Sequence, residues 1–165
     1  MTKIIRILIA LAFCLIAVSA IFFFSEQKGS ESHIESSHVA AKLVEMITSS
    51  SKEGFTNDEK KVITRALDYP LRKCAHLFIY FCLGFILYLS SVFIHKDKHR
   101  PIFILICCII VIVIAFVDEI NQFYTAGRGS SFKDVLIDTV GGMAGIYFYY
   151  IITDFIGRVK NLLKR

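Results

Sequence analysis

The side chains most able to do chemistry in this chain cluster where apolar runs begin or stop. Arg72, Lys73 and His76 open one run, and Glu119 and Gln122 close another. Arg128 follows between Gly127 and Gly129, and Asp134 and Asp138 lead into a third run. His76, Glu119, Asp134 and Asp138 are the candidates for proton transfer, or for organising a site. Arg72, Lys73, His76, Gln122 and Arg128 are the candidates for ligand binding. Arginine in particular suits planar, bidentate capture of carboxylate or phosphate. A histidine with three carboxylates could also bind a hard divalent ion. The arginines beside them oppose a cation, so neither a metal site nor a cofactor is expected. No Ser-His-Asp order stands out, and Cys74 is too near His76 in sequence to reach it readily on one helix. These residues are compatible with an enzyme and with a binding or structural network.

The elements that must position these groups are membrane helices. The chain has 165 residues, 55% of them hydrophobic, with a mean hydropathy of +0.61. That is too apolar for an ordinary soluble domain. A span needs about 20 mostly apolar residues. Four stretches qualify: Ile4 to Phe24, Cys74 to Ile94, Ile102 to Val117 with an extension to Gln122, and Val135 to Thr153. The expected fold is all-α, an integral membrane four-helix bundle with a small extracytoplasmic helical segment. The expected units are an N-terminal signal-anchor helix (1–24), an extracytoplasmic polar segment (25–71), a three-helix membrane core (72–153) and a basic cytoplasmic tail (154–165). Val18-Ser19-Ala20 resembles a cleavage site, but the apolar run continues through Phe24, which favours an uncleaved anchor.

Charge sets the expected orientation. The net charge is +5, and nine basic residues fall on one side: Lys3, Arg6, Lys96, Lys98, Arg100, Arg158, Lys160, Lys164 and Arg165. The opposite short loop holds only Arg128 and Lys133 as basic groups. The positive-inside rule then predicts a multi-pass protein of the cell membrane with both termini cytoplasmic and the polar cluster facing outward. Because the basic residues flank spans, nucleic acid is not an expected partner. Membrane lipids are. The five cysteines lie within or at the edge of apolar runs, without metal-ligand spacing or a disulfide framework.

Between the first two spans, Ser25 to Ser37 reads as a flexible connector. Val39 to Ile47 has apolar residues at helical spacing. Thr56 and Glu59 have the spacing of a capping box, so a second short helix is expected from Asn57 to about Leu67, ended or turned by Pro70. Together they predict a small outer helical hairpin.

Spacing also predicts which faces meet protein. His76, Tyr80, Gly84 and Tyr88 recur every four residues, with Arg72 one turn earlier. Glu119 and Gln122 share a face, with Ala115 one turn below Glu119 and Asp118 and Asn121 as a neighbouring pair. Asp134, Asp138, Gly142 and Gly145 lie along one stripe, and Gly141 and Gly145 form a small-xxx-small pair that lets another helix approach. The carboxylates on that face should therefore point into the bundle, with His76, Arg72 or Arg128 as the partner of Asp138. Glu119 is a general base, a metal ligand or a salt-bridge partner of Arg72 or Arg128. Ser130 or Ser131 is the expected cap of the last span.

A basic residue three before a histidine, then Glu119-Ile120-Asn121-Gln122-Phe123, then Gly127-Arg128, then an Asp entering a Gly-rich span, resembles the VanZ-like family. The resemblance covers roughly Arg72 to Tyr150. It departs from the family pattern in having Ala126 where Pro often stands, and Asp138 where Asn often stands. It implies a bacterial multi-helix membrane protein of the cell envelope. It also implies a link to glycopeptide resistance, since the name-giving member is associated with low-level resistance to teicoplanin. The expected function is binding or processing of an anionic or lipid-linked cell-envelope ligand at an outward-facing polar site. The alternatives are a non-enzymatic protein that alters glycopeptide access and, third, a small proton-coupled transporter.

Overall fold

The chain folds as α1 (Lys3–Ser25), α2 (Gly29–Ser49), α3 (Asn57–His95), α4 (Pro101–Tyr124) and α5 (Phe132–Leu162) in a computed structural model. The structure describes residues 2–25, 29–49, 54–95, 101–124 and 131–163. Among them no strand is present, and α1, α3, α4 and α5 are long and apolar enough to cross a membrane. The expected all-α membrane bundle is thus the observed architecture.

Helix starts follow local chemistry. The Thr56 backbone N–H donates to Glu59 Oε2 at 2.8 Å, and the Glu59 N–H donates back to Thr56 Oγ1 at 3.3 Å. This capping box satisfies two amides that have no partner within the helix. Pro101 opens α4 at a position where its missing N–H costs no helical bond. Ser131 caps α5: its Oγ accepts from the Lys133 N–H at 3.3 Å, and Asp134 sits in the first turn, where its charge complements the helix dipole.

Three boundaries differ from those expected. α2 begins at Gly29, so residues 29–37 are helix rather than connector. Serine, glutamate and histidine disfavour a helix by only tenths of a kcal/mol each. The buried stripe of Ala40 and Val44, packed beside α3, supplies the tertiary contact that carries the helix. α3 runs through Pro70 instead of ending there. Proline inside a helix costs about 3 kcal/mol. Contacts on both sides offset that cost: the Ser36 hydroxyl donates to buried Asp68, two residues before the proline, and α5 packs along the other half. At 39 residues, α3 is about 58 Å long, roughly twice the hydrocarbon thickness. Its N-terminal half therefore projects beyond the membrane core, and α2 packs on the projection as the hairpin partner. Finally, α5 continues to Leu162, so most of the basic tail is helical.

The centre of the bundle is the α3–α5 seam. A methyl group on Gly84 would run into the Gly142 carbonyl. One on Gly141 would meet the Leu77 carbonyl, and one on Gly145 the Phe81 carbonyl. The two backbones thus touch along three turns, which only glycine permits. Val111 of α4 closes on Gly142 from the third side. Tyr80, Leu83, Tyr88, Val111, Ala115 and Ile146 are fully buried around this seam. α1 covers α3 and α4 through Ala10 and Ile21, and the Cys14 thiol lies 3.6 Å from Ser90 Oγ.

Candidate functional site

The glycine contact fixes what the same helix faces do one and two turns away. Tyr80 lies one turn before Gly84 on α3, and His76 one turn before that. Asp138 lies one turn before Gly142 on α5, and Asp134 one turn before that. Backbone contact at the glycines therefore brings His76 to Asp138, with Nδ1 3.9 Å from Oδ1. One turn nearer the helix end, Lys73 Nζ sits 2.5 Å from Asp134 Oδ1. Lys73 also lies 5.4 Å from the centre of the Tyr69 ring.

α4 adds the third wall. Its buried face runs Cys107, Val111, Ala115, Asp118, Glu119 and Gln122. Asp118 is the most deeply placed carboxylate, with no solvent exposure. Its Oδ2 accepts from the Tyr80 hydroxyl at 3.2 Å and from Gln122 Nε2 at 3.0 Å. Its Oδ1 has no hydrogen-bond partner among the described residues. One donor atom each from His76, Asp118 and Asp138 lies within 4.8 Å of the other two. Such a mixed nitrogen and oxygen set could hold a metal ion. Glu119 turns to the α5 entry instead: its Oε1 accepts the Ser131 backbone N–H, while Oε2 has no partner among the described residues.

Most of the residues expected from sequence meet here, in two connected layers. His76 and Asp138 form the inner layer, now with Asp118 and Tyr80. Lys73 and Asp134 lie above them. Gln122 orients Asp118, and Glu119 ties α4 to the cap of α5. The expectation that His76 partners Asp138 matches the geometry. Arg72 does not take that part. It is half-buried on α3 and forms no ion pair with a carboxylate among the described residues. Of the alternatives for Glu119, a salt bridge with Arg72 is not formed, and its Oε1 accepts the Ser131 N–H instead. The reason is helical phase: Lys73, at i−3 from His76 and i−7 from Tyr80, shares their inward face, and so takes the inward ion pair. Arg128, with Gly127, Gly129 and Ser130, lies outside the described residues. Cys74 is exposed and so is directed away from this cluster.

Asp118, which the sequence offers only as a neighbour of the Glu119–Gln122 pair and not as a candidate site residue, is the inward carboxylate of α4. The signal was the spacing of Cys107, Val111, Ala115 and Asp118, at steps of four, four and three. That is the stripe of a packed helix face. Its neighbour Glu119 also lies one turn from Ala115, and the Glu-x-x-Gln motif drew attention there.

Comparison with curated proteins finds no match, and comparison with solved structures finds none. The profile of the VanZ/LLP1 family matches residues 10–153. That span takes in α2 and the projecting half of α3, a segment outside the motifs that carry the resemblance in the sequence. A match over most of the length joins the motif-bearing helices and the outer hairpin in one inherited unit, and the chain belongs to the VanZ/LLP1 family.

Proposed function

We propose that this VanZ-like membrane protein binds or processes an anionic or lipid-linked ligand of the cell envelope, at a polar site on the outer side of the membrane. The observation that carries the reading is a layer of ionisable side chains, contributed by α3, α4 and α5, inside an otherwise apolar bundle. Ionisable groups within a span are expensive and mark sites more often than packing positions. Lys73, with Arg72 and Arg128, would hold phosphate or carboxylate. His76, Glu119, Asp134 and Asp138 would move protons or organise the site. The outward placement rests on the nine basic residues of the opposite side, which put both termini in the cytoplasm.

Mass spectrometry of lipids that copurify with the protein tests the reading. The wild type should retain an anionic or lipid-linked species that Lys73→Ala and Arg128→Ala lose while keeping wild-type expression. Identical lipid profiles for all three proteins would refute it. Cysteines introduced at 125–130 should react with an impermeant reagent on intact cells, and reaction only after permeabilisation would reverse the orientation.

A second reading has its own support. Asp118 already accepts two hydrogen bonds from within the bundle, and Glu119 accepts the cap amide of α5. A network this engaged suits a non-enzymatic protein that alters glycopeptide access. In that case the variants above would change drug susceptibility without changing bound lipid.

A further inference from the structure

We propose that His76, Asp118 and Asp138 form a binding site for one divalent metal ion of the zinc or manganese class. Three observations converge on it. The donor atoms come from three different helices, yet lie within 4.8 Å of one another. Donors bound to zinc at about 2.1 Å in a tetrahedron are about 3.4 Å apart. The His76–Asp138 separation of 3.9 Å is therefore within a small side-chain rotation of a closed site.

The second observation is the state of Asp118. It is completely buried, and its Oδ1 has no hydrogen-bond partner among the described residues. A carboxylate oxygen left this way needs a cation or a donor. The other oxygen is fixed by Tyr80 and Gln122, from α3 and from α4 itself. This is the arrangement of an oriented metal ligand: outer hydrogen bonds hold the carboxylate so that one oxygen stays available for the ion.

The third observation is charge. The arginines argued against a cation at the level of sequence. Among the described residues, the basic side chain beside the cluster is Lys73, and it is taken up by Asp134 at 2.5 Å. Arg72 makes no ion pair with a carboxylate among the described residues. Among the described residues, two buried carboxylates and one imidazole thus face one another, and a divalent ion would balance the carboxylates in their ionised form. The imidazole favours a borderline ion over calcium or magnesium, which take oxygen donors. Three protein ligands leave a position for water or for an anionic group. The inference holds whether or not a lipid-linked ligand binds.

The experiment uses the full chain in detergent, its affinity tag removed and its metals stripped by chelation. Zn²⁺, Mn²⁺ and Co²⁺ are titrated separately by calorimetry, with Co²⁺ also followed by its visible spectrum. One ion per chain should bind, with d–d bands and no thiolate charge-transfer band. Asp118→Asn and Asp138→Asn should each weaken binding at least 100-fold, and Tyr80→Phe about 10-fold, the range for loss of an outer partner. Cys74→Ser should bind as the wild type does. Circular dichroism and gel filtration check each variant for folding. His76→Gln replaces either Asp variant that fails, and is held to the same 100-fold loss. No stoichiometric ion on the wild type, a thiolate band, or unchanged affinity in folded Asp118→Asn and Asp138→Asn would each overturn the proposal.

Discussion

The two ends of the α3–α5 seam use the same geometry and opposite chemistry. At one end, Lys73, His76 and Tyr80 face Asp134 and Asp138, with Asp118 of α4 between them. At the other end, Phe85 and Tyr88 face Tyr149 and Tyr150. The Phe85 and Tyr149 rings meet edge to face at 5.0 Å, and Tyr88 lies 5.9 Å from Tyr149 and 6.4 Å from Tyr150. The glycines hold the backbones in contact between the two ends. Aromatic packing closes the seam with uncharged groups in favourable geometry. The polar end instead buries carboxylates, each of which costs several kcal/mol unless it is well paired. The aromatic end demonstrates that this helix pair closes without buried charge. The charges at the polar end are the ones to which the proposed function gives a role.

The largest expected effect is at the aromatic end. Tyr88→Ala removes a fully buried ring, and should cost about 3–5 kcal/mol, with a fall in melting temperature in detergent and no change in metal affinity. A melting temperature equal to the wild type would mean that this end does not hold the seam. A smaller effect is expected between the ends. Gly84→Ala places a methyl group against the Gly142 carbonyl and should cost about 1–3 kcal/mol by forcing the helices apart. That separation would also move His76 from Asp138, so metal or ligand binding should fall together with stability. Binding that stays intact at lower stability would uncouple the polar end from the glycine contact.

The smallest effect on stability is expected at the polar end. Asp118→Asn keeps an oxygen for Tyr80 and Gln122 while removing a buried charge. Measured after chelation, its melting temperature should correspond to a change within about 1 kcal/mol of wild type. A loss as large as that of Tyr88→Ala would make the polar layer a structural fastener and remove the contrast.

Much of this contrast was legible along the chain. The four-residue recurrence of His76, Tyr80, Gly84 and Tyr88 named the inward face of α3. The stripe from Asp134 through Gly145 named the matching face of α5. Both readings work because glycine on a helix face has few reasons to be there other than close approach. Lys73 was named as a ligand-binding residue, but Arg72 was placed on the inward stripe in its stead. Four-residue steps drift around a helix of 3.6 residues per turn, and Lys73 is the better-phased neighbour. Asp118 stands in the sequence only as a neighbour of the Glu119–Gln122 pair, because its phase on α4 matters only once α4 is docked against Tyr80. Arg128 lies outside the described residues, so its part in the site stays with the proposal.

Sequence by itself determined the number of membrane-crossing helices, the cap at Thr56, a serine cap at 130 or 131, and the faces that could be buried. Hydrophobic length, capping chemistry and helical period are local properties, and each can be read from a window of about 20 residues. Tertiary structure alone decided that α3 runs unbroken past Pro70, that α2 extends back to Gly29, and that His76, Asp118 and Asp138 share one small volume. Each outcome depends on contacts between residues far apart in the chain. Helix continuity at Pro70 needs neighbours that offset the lost bond, and a three-helix cluster exists only when the glycine contact brings the helices together.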